Sequence, residues 1–424
     1  MKKFKKLTFL ALLNTLLISA VFLGGCSSNT SPKNESTDGN GKTTITVWGM
    51  GEEGKRLGDF VKDFEKDNPD IKVKIQALPW DQAHEKLLTA VASKKGADVI
   101  QMGTTWMPEF AEAKILKDIT PYVEQYPELG GDNFFDGAVE TTKFDDKVVG
   151  VPWYSETRVL FYRSDLLKEI GYNEPPKTWD ELYDAATKLA QRGEGKFGIN
   201  DITKELITAG LLARQNSSDV INKNNEPLFN QKEFVETMEY AANLYKEGAM
   251  PNYDLQMTES QIFGGEGIVP MFYGLPWNIK QLTDEAPDIE GKWATAVLPA
   301  KKNNISFVGG SNWVVFEHTK QADAAVKFIA YMSKPETQIR WMKETNSLPS
   351  NVKAWDDEFF KNNPNYQVFG QQLETAKPLP LISKWNAVDE EYKKSIERIK
   401  LDPDKVNIQE EMDALNKKVQ DILR

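Results

Sequence analysis

From residue 43 onward the hydrophobic residues alternate between the spacing of a strand and that of a helix. Residues 43–48 (TTITVW) form a β-branched run that predicts a strand, and apolar residues recur at helical spacing from Leu57 to Phe64. Between them, the glycine-rich residues 49–54 predict a solvated turn. Residues 71–75 then alternate as a second strand, residues 83–93 have the pattern of a helix, and residues 98–102 are typical of a buried strand. Strands that alternate with helices are typical of a parallel, doubly wound sheet, so the predicted fold class is α/β.

The remainder of the chain continues with both kinds of element. Strands are predicted at residues 159–162, 267–272 and 307–316, and helices at residues 206–213, 234–245, 322–332, 336–344, 392–400 and 409–423. Another helix is predicted to begin after Thr178, which can cap it together with Glu181. Gly309 and Gly310 interrupt the last of the three strands, which indicates a bend or a close approach of backbone at that point.

The third predicted strand is followed by a segment that could hold a ligand. Thr105 and Trp106 come directly after it, and a helical pattern through Phe110 follows. Ligands of open α/β sheets bind beyond the carboxyl ends of the strands, where two threonines and an indole could hold a sugar. The same residues are equally compatible with a core tryptophan and a threonine helix cap, since large apolar side chains are more often core than ligand platform.

Charge narrows the class of ligand. The formal net charge is −11, and it becomes −15 (48 basic against 63 acidic residues) if Lys2, Lys3, Lys5 and Lys6 are removed with a leader. An acidic protein is a poor partner for nucleic acid, whose phosphates require a basic face. The 11 Trp and 13 Tyr residues include candidates for flat carbohydrate platforms.

The N-terminus has the layout of a secretory signal. Four lysines precede the apolar residues 7–23, and the run ends in Leu-Gly-Gly-Cys at Cys26, the only cysteine of the chain. This ending resembles the bacterial lipobox, which implies that residues 1–25 are a lipoprotein signal peptide and that Cys26 is lipidated. Residues 26–42 are polar and predict a flexible tether. With its one cysteine used for the lipid, the protein has no disulfide framework.

No motif indicates catalysis. The only histidines, His84 and His318, are isolated, which disfavours transition-metal and Cys–His sites. Neither Gly51–Lys55 nor Gly193–Lys196 has the spacing of a phosphate-binding loop, and there is no Gly-x-Ser-x-Gly elbow. A pair of carboxylates for glycoside hydrolysis could still be drawn from the 63 acidic residues.

Seven landmarks in order resemble one family, the maltose-binding-protein-like extracellular solute-binding proteins of bacterial ABC sugar importers. The landmarks are Ile45–Gly49 (ITVWG), Asp98–Ile100 with Trp106–Phe110, Gly150–Trp153 (GVPW), Leu160–Leu167 with Pro175–Leu182 (PPKTWDEL), Gly274–Trp277 (GLPW), Phe307–Gly310 (FVGG) and Trp385. The resemblance implies a two-lobed periplasmic-binding-protein fold of type II, with hinge strands between the lobes. The N-terminal lobe would hold residues 43–157 and 313–352, and the C-terminal lobe residues 158–312 and 353–424.

The resemblance also implies a function and a set of ligand residues. The protein would be a monomeric, non-enzymatic lipoprotein on the outer face of the cell membrane, without cofactor or metal. It would capture a mono- or oligosaccharide by hinge closure and deliver it to the permease subunits of an ABC importer. The residues carried over as ligand contacts are Trp48, Glu52, Thr105, Trp106, Tyr154, Glu156, Trp277, Gly310, Ser311 and Trp385, with Trp153 a further candidate.

These residue types suit a sugar, whose C–H face stacks on aromatic rings and whose hydroxyls need hydrogen-bond partners when buried. Thr105-Trp106 stands where maltose binders carry a charged pair, so the implied ligand is a carbohydrate and not maltose in particular. One alternative is a lipid-anchored surface glycosidase or polysaccharide lyase, which would share an aromatic cleft. Another is a binding protein of the same fold for a peptide, a polyamine or iron.

Overall fold

The computed structural model describes residues 41–380 and 384–424, except for the side chain of Glu52. The predicted signal peptide, Cys26 and nearly all of the predicted tether lie outside the described residues. Within the described ranges, no helix is long and apolar enough to cross a membrane.

Twelve strands are described: β1 Thr43–Met50, β2 Ile71–Leu78, β3 Val99–Gly103, β4 Lys143–Phe144, β5 Lys147–Val148, β6 Val151–Glu156, β7 Val159–Arg163, β8 Met271–Gly274, β9 Trp293–Ala296, β10 Phe307–Val315, β11 Leu348–Pro349 and β12 Lys377–Pro378. They form two main sheets. The first has the order β11-β6-β10-β3-β1-β2, and the second has the order β8-β7-β9. β4 and β5 form a separate antiparallel pair.

The α-helices are α1 Gly51–Asp67, α2 Trp80–Ser93, α3 Met107–Glu112, α4 Thr120–Val123, α5 Asp136–Glu140, α6 Ser164–Glu169, α7 Trp179–Ala190, α8 Leu206–Gln215, α9 Lys232–Lys246, α10 Glu259–Phe263, α11 Trp277–Glu285, α12 Ala322–Met332, α13 Pro335–Thr345, α14 Glu358–Lys361, α15 Pro364–Leu373, α16 Trp385–Leu401 and α17 Ile408–Leu423. Short 3₁₀ turns stand at residues 104–106, 127–129, 131–133, 287–289 and 352–356.

The first sheet mixes parallel and antiparallel neighbours. β1 pairs in parallel with β2 and β3, as the alternation of strands and helices predicts. β10 then inserts in the opposite direction between β3 and β6. Parallel strands need crossover helices, and α1 and α2 supply them. The carboxyl ends of β1, β2 and β3 therefore lie along one edge of this sheet.

The second sheet is antiparallel. β7 pairs with β8 and with β9, each in the opposite direction. The chain passes into it directly from the first sheet, because β6 ends at Glu156 and β7 begins at Val159. β10 links the two regions again, since Phe307 at its start packs in the apolar cluster of the second sheet, while the residues from Gly309 onward pair within the first sheet.

Separate apolar clusters surround the two sheets. Around the first sheet, the α1 residues Phe60 and Phe64 pack with α12 and with Trp153, Trp313 and Trp341. Trp153 contacts the rings of Trp313 and Trp341 at centroid distances of 5.3 and 5.0 Å. A different set of apolar residues, from β7, α7 and α9, packs on the second sheet. This partition accords with two lobes, whose predicted bounds stay a prediction.

Two local predictions were wrong. Residues 49–54 are not a solvated turn, because β1 continues to Met50 and α1 begins at once with Gly51. Gly49 and Gly54 sit so close that a β-carbon on Gly54 would lie 2.6 Å from the Gly49 carbonyl carbon, so glycine here serves tight packing. The strand predicted at residues 267–272 begins only at Met271, because the residues from Gly264 to Pro270 form a turn after α10.

Two others are confirmed. Thr178 caps α7, with its hydroxyl accepting a hydrogen bond from the Glu181 amide. The Glu181 carboxylate accepts from the Lys177 amide, one residue earlier than in a capping box. The close approach predicted at Gly309-Gly310 is also found, as described below.

Candidate functional site

The carboxyl edge of the first sheet carries a corner of aromatic side chains. β3 ends at Gly103, and residues 104–106 form one 3₁₀ turn before α3. In this turn Thr105 is exposed and Trp106 is half-buried, while Phe110 of α3 is fully buried in the core. Trp106 packs edge-to-face against Trp80, the first residue of α2, with ring centroids 5.4 Å apart. It makes a similar contact with His84, whose Nε2 lies 2.8 Å from the Glu109 carboxylate.

Beside this corner, a hydrogen-bonded network fixes the carboxylate of Glu53, in the first turn of α1. Oε1 of Glu53 accepts from the Ser347 hydroxyl at 2.7 Å, and Oε2 accepts from Nε2 of Gln101 at 3.1 Å. Gln101 is fully buried on β3 and is itself held by the amide of Met50, which donates to its Oε1 at 2.9 Å. Residues from β1, α1, β3 and the turn before β11 thus meet at one carboxylate.

The two strands that cross toward the second sheet extend this network. The hydroxyl of Ser311 on β10 accepts from Nε2 of Gln101 at 3.4 Å and donates to the hydroxyl of Tyr154 on β6 at 3.3 Å. Burial, followed by the charges of Glu53 and Glu156, raises the pKa of Tyr154 well above its usual value. Tyr154 therefore stays a neutral phenol that can donate and accept hydrogen bonds.

Glu156, the last residue of β6, has an unusual environment. Burial and the nearby charge of Glu53 raise its pKa to about 6, against a smaller opposing effect of Arg158. Within the described residues, no hydrogen bond reaches the Glu156 carboxylate, so nothing but Arg158 favours its ionised form. Burial disfavours the ionised form of a carboxyl group when no hydrogen-bond donor compensates for the lost water.

Gly310 allows β6 and β10 to approach this closely. It has a φ of +113°, and a β-carbon there would lie 2.1 Å from the carbonyl oxygen of Tyr154. Only glycine adopts this conformation without strain. The register shifts immediately afterwards, between Ser311 and Asn312, which aims Ser311 into the network.

In the second sheet region, Trp277 and Arg158 lie near the same strand end. β8 ends at Gly274, and Trp277 begins α11 with 47% of its surface exposed. Arg158 donates to the carbonyl oxygen of Tyr273 at 3.2 Å and to the Glu205 carboxylate at 2.7 Å. An exposed indole and a positioned carboxylate are thus available on this side.

Trp385 is the first residue of α16 and packs, half-buried, on the cluster that includes Val388 and Tyr392. A hydrogen bond from the Leu206 amide to the Asp389 carboxylate, at 3.3 Å, joins the start of α16 to the start of α8. Among the described residues no ring contact joins Trp385 to Trp277, and the role of each as a ligand contact stays a prediction.

Two further tryptophans are mainly packing residues. Trp153 has no exposed surface, so its interpretation as a ligand residue was wrong. Trp48 is 7% exposed and packs in the core of the first sheet, with Nζ of Lys86 4.8 Å from its ring centroid. Its role as a ligand contact stays a prediction. Of Glu52 only the backbone, in the first turn of α1, is described.

The comparisons with known proteins decide the family. The sequence-family model of the bacterial extracellular solute-binding proteins matches residues 49–339, more than half of the chain. The chain belongs to that family.

Relatives cover most of the chain. The sugar-binding protein MalE of Xanthomonas citri is 32% identical and superposes with a TM-score of 0.84 over 90% of this chain and 97% of that one. The maltodextrin-binding protein MdxE of Bacillus subtilis is 27% identical over 86% of this chain and 85% of its own length. The arabinooligosaccharide-binding protein of the same organism is 25% identical over 87% and 86%. These comparisons confirm the two-lobed binding-protein fold and a binding function in place of catalysis.

The sequence analysis did not single out four polar or aromatic residues that the structure places beside the predicted site residues. They are Glu53, Gln101, Trp80 and Arg158. Glu53 had a signal, since it adjoins Glu52 directly beyond β1, but the wrong turn assignment hid it. Gln101 had none, because it lies inside an apolar strand run. No group of three or more metal-ligating side chains occurs in residues 41–380 and 384–424.

Proposed function

We propose that this solute-binding protein captures a sugar or oligosaccharide. The observation that carries the proposal is the Glu53 carboxylate, held by Ser347 and Gln101 beside the phenol of Tyr154. A carboxylate offers about four acceptor positions; Ser347 and Gln101 occupy two of them, and the phenol of Tyr154 lies within hydrogen-bonding reach of the same carboxylate. The remaining acceptor capacity suits sugar hydroxyls, and the indoles of Trp106 and Trp277 suit the apolar C–H face of a sugar ring.

The names of the relatives support this ligand class. MalE of Xanthomonas citri is a sugar-binding protein, and the two Bacillus subtilis relatives bind maltodextrin and arabinooligosaccharide. Their ligands differ from one another but are all polyhydroxylated saccharides, and this is the ligand class that we propose for this chain. The substrate-binding set is Trp48, Glu52, Thr105, Trp106, Tyr154, Glu156, Trp277, Gly310, Ser311 and Trp385, to which we add Glu53.

Capture involves closure of the two lobes about the segments that cross between the sheets. Glu53 and Thr105 belong to the first sheet region, and Trp277 and Glu205 to the second. A ligand that touches both sides favours the closed form only through contacts made in that form. The lobes are residues 43–157 with 313–352 and residues 158–312 with 353–424.

Export and anchoring complete the proposal. Residues 1–25 act as a lipoprotein signal peptide, Cys26 carries the lipid, and residues 26–42 tether a monomeric body to the outer face of the membrane. From there the closed form delivers its sugar to the permease subunits of an ABC importer. A basic stretch, an apolar run and Leu-Gly-Gly-Cys support this part.

A thermal-shift screen tests the ligand class. Maltose, maltotriose, arabinotriose, galactobiose and diacetylchitobiose are added separately, and a ligand at 100 times its Kd should stabilise the protein by about 2.7 kcal/mol. Trp277→Ala and Trp385→Ala should each weaken the hit while the variants remain folded. Unchanged affinity in both variants would remove these residues from the site, and no stabilisation by any sugar would contradict the proposed function.

Fractionation of cells tests the anchor. Cys26→Ala should move the full chain from the membrane fraction to the soluble fraction or the medium. Ser27→Ala, next to it, is the matched control and should stay with the membrane. Retention of the Cys26→Ala protein on membranes would refute the lipoprotein assignment.

A further inference from the structure

Trp80 occupies an unusual place at the carboxyl edge of the first sheet. It is the first residue of α2, and two glycines at the ends of neighbouring strands lie against opposite parts of its ring. A β-carbon on Gly51, after β1, would lie 2.8 Å from Cδ1 and 2.9 Å from Nε1 of Trp80. A β-carbon on Gly103, at the end of β3, would lie 3.6 Å from Cζ3 at the far end of the indole. The indole therefore spans the ends of β1 and β3.

The absence of side chains at both ends lets the ring settle onto the backbone. Gly51 has a φ of +58°, and any side chain there would have to displace the Trp80 ring. Trp106 contacts the ring edge-to-face at 62°, which fixes the indole in the second direction. A ring held by two backbone segments and one neighbouring indole is preorganised, so a ligand need not restrict its rotamers on binding.

The polar end of the ring is also free. Within the described residues, Nε1 of Trp80 has no hydrogen-bond acceptor. The indole nitrogens that are both buried and without a partner are those of Trp153, Trp313 and Trp341, and Nε1 of Trp80 does not belong to that group. Trp80 is half-buried overall, so its N–H opens to solvent. Ligands of such sheets bind at the strand ends, and an indole N–H that is accessible there can donate a hydrogen bond to a ligand.

We infer that Trp80 is a ligand-contacting and specificity-determining residue, which stacks on a sugar ring and donates its indole N–H to a hydroxyl of that sugar. This inference rests on the proposed function. With Trp106 it forms a two-sided aromatic corner, which fits an uncharged saccharide ring by its C–H face.

Isothermal titration of four proteins tests the inference. Wild type, Trp80→Leu, Trp80→Tyr and Trp293→Leu are titrated with maltotriose, arabinotriose and galactobiose. Trp80→Leu keeps an apolar side chain over the two glycines but removes the stacking face and the donor. For each sugar that wild type binds, the Trp80→Leu substitution should weaken affinity by about tenfold, the equivalent of about 1.4 kcal/mol. Trp80→Tyr keeps a flat ring and a hydrogen-bond donor, so its affinity should lie between those of Trp80→Leu and wild type.

Trp293→Leu is the matched control. Trp293 is a half-buried tryptophan that stacks on Phe161, and it pairs with Arg163 at the opposite end of β7 from the site. Its replacement should leave the affinity unchanged. If Trp80→Leu does not fold, 5-fluorotryptophan-labelled wild type is titrated instead, with the Trp80 resonance assigned from Trp80→Tyr. That resonance should move on binding while the Trp293 resonance stays.

The outcomes separate this inference from the proposed function. Wild-type affinity in Trp80→Leu, or a Trp80 resonance that does not respond, overturns the role of Trp80 even where Trp277→Ala weakens binding and the proposed function stands. Equal losses in Trp80→Leu and Trp293→Leu also overturn it, because a general loosening of the fold would then account for both. If no sugar binds to wild type, the proposed function and the role of Trp80 fall together.

Discussion

Replacement of Glu156 by glutamine should stabilise the unliganded protein at neutral pH. Burial and the charge of Glu53 raise the pKa of Glu156 to about 6, from 4.5 for an unperturbed glutamate. Each pKa unit is worth about 1.4 kcal/mol, so the ionised carboxylate costs the folded state about 2 kcal/mol above pH 6. Glutamine has nearly the same shape and no charge, and it removes this cost.

The effect should depend on pH in a defined direction. Below pH 4.5 Glu156 is protonated in the folded and the unfolded chain, so the substitution changes little. Between pH 4.5 and 6 the unfolded chain loses this proton while the folded chain keeps it, and the stability that the protonated group contributes is progressively lost. Above pH 6 the loss is complete, and the variant should show its full advantage.

Urea denaturation of wild type and Glu156→Gln measures this advantage, with unfolding free energies compared at about pH 4 and about pH 7.5. Other groups titrate in the same way in both proteins, so their contributions cancel when the unfolding free energy of wild type is subtracted from that of Glu156→Gln. Glu239→Gln, an exposed glutamate of α9, is the control and should show no pH-dependent difference. A Glu156→Gln protein that is less stable than wild type at about pH 7.5, or whose advantage grows toward acid pH, would refute the reasoning.

Two further substitutions test the close approach of β6 and β10 and a buried ion pair in the helical region. Gly310→Ala places a β-carbon 2.1 Å from the Tyr154 carbonyl at a φ of +113°, so urea denaturation should show a loss of at least about 2 kcal/mol; a loss below about 0.5 kcal/mol would mean that the strands part easily. Lys400→Met removes the partner 3.1 Å from the buried Asp201 carboxylate and should cost about 3–5 kcal/mol. The double variant with Asp201→Asn should recover much of that loss, and no recovery would show that packing of the Lys400 chain, rather than charge, is what matters.

Periodicity predicts most of the elements because the core faces of the helices and strands repeat regularly. The helix through Phe60 and Phe64 and the strand at residues 43–48 are both present, with ends shifted by a few residues. Pairing is a different matter. β10 lies between β3 and β6 and antiparallel to both, an arrangement set by contacts between residues more than 150 positions apart. No local pattern contains that information.

At the site, residue type predicts less than position. Trp153 and Trp277 both follow proline in similar motifs, yet one has no exposed surface and the other is 47% exposed. The difference arises because Trp153 stands inside β6 and meets Trp313 and Trp341, while Trp277 begins a helix beyond β8. Gln101 shows the reverse case, a polar residue in an apolar run whose purpose appears only when Glu53, Ser311 and Met50 converge on it.

The Glu53 network explains how an acidic site can be ready for a neutral ligand. Its carboxylate is already oriented by Ser347 and Gln101 before a ligand arrives, so binding need not restrict that side chain. Glu156 lacks such partners and carries a cost of ionisation that a ligand hydroxyl, by donating to it, would relieve. The Glu53 carboxylate is thus preorganised, whereas a hydrogen bond from a ligand to Glu156 would add a favourable free energy that exists only in the bound state. Under the proposed function, closure is driven only by contacts that the open form lacks, and a ligand contact with Glu156, at the crossing between the sheets, would couple ligand to closure.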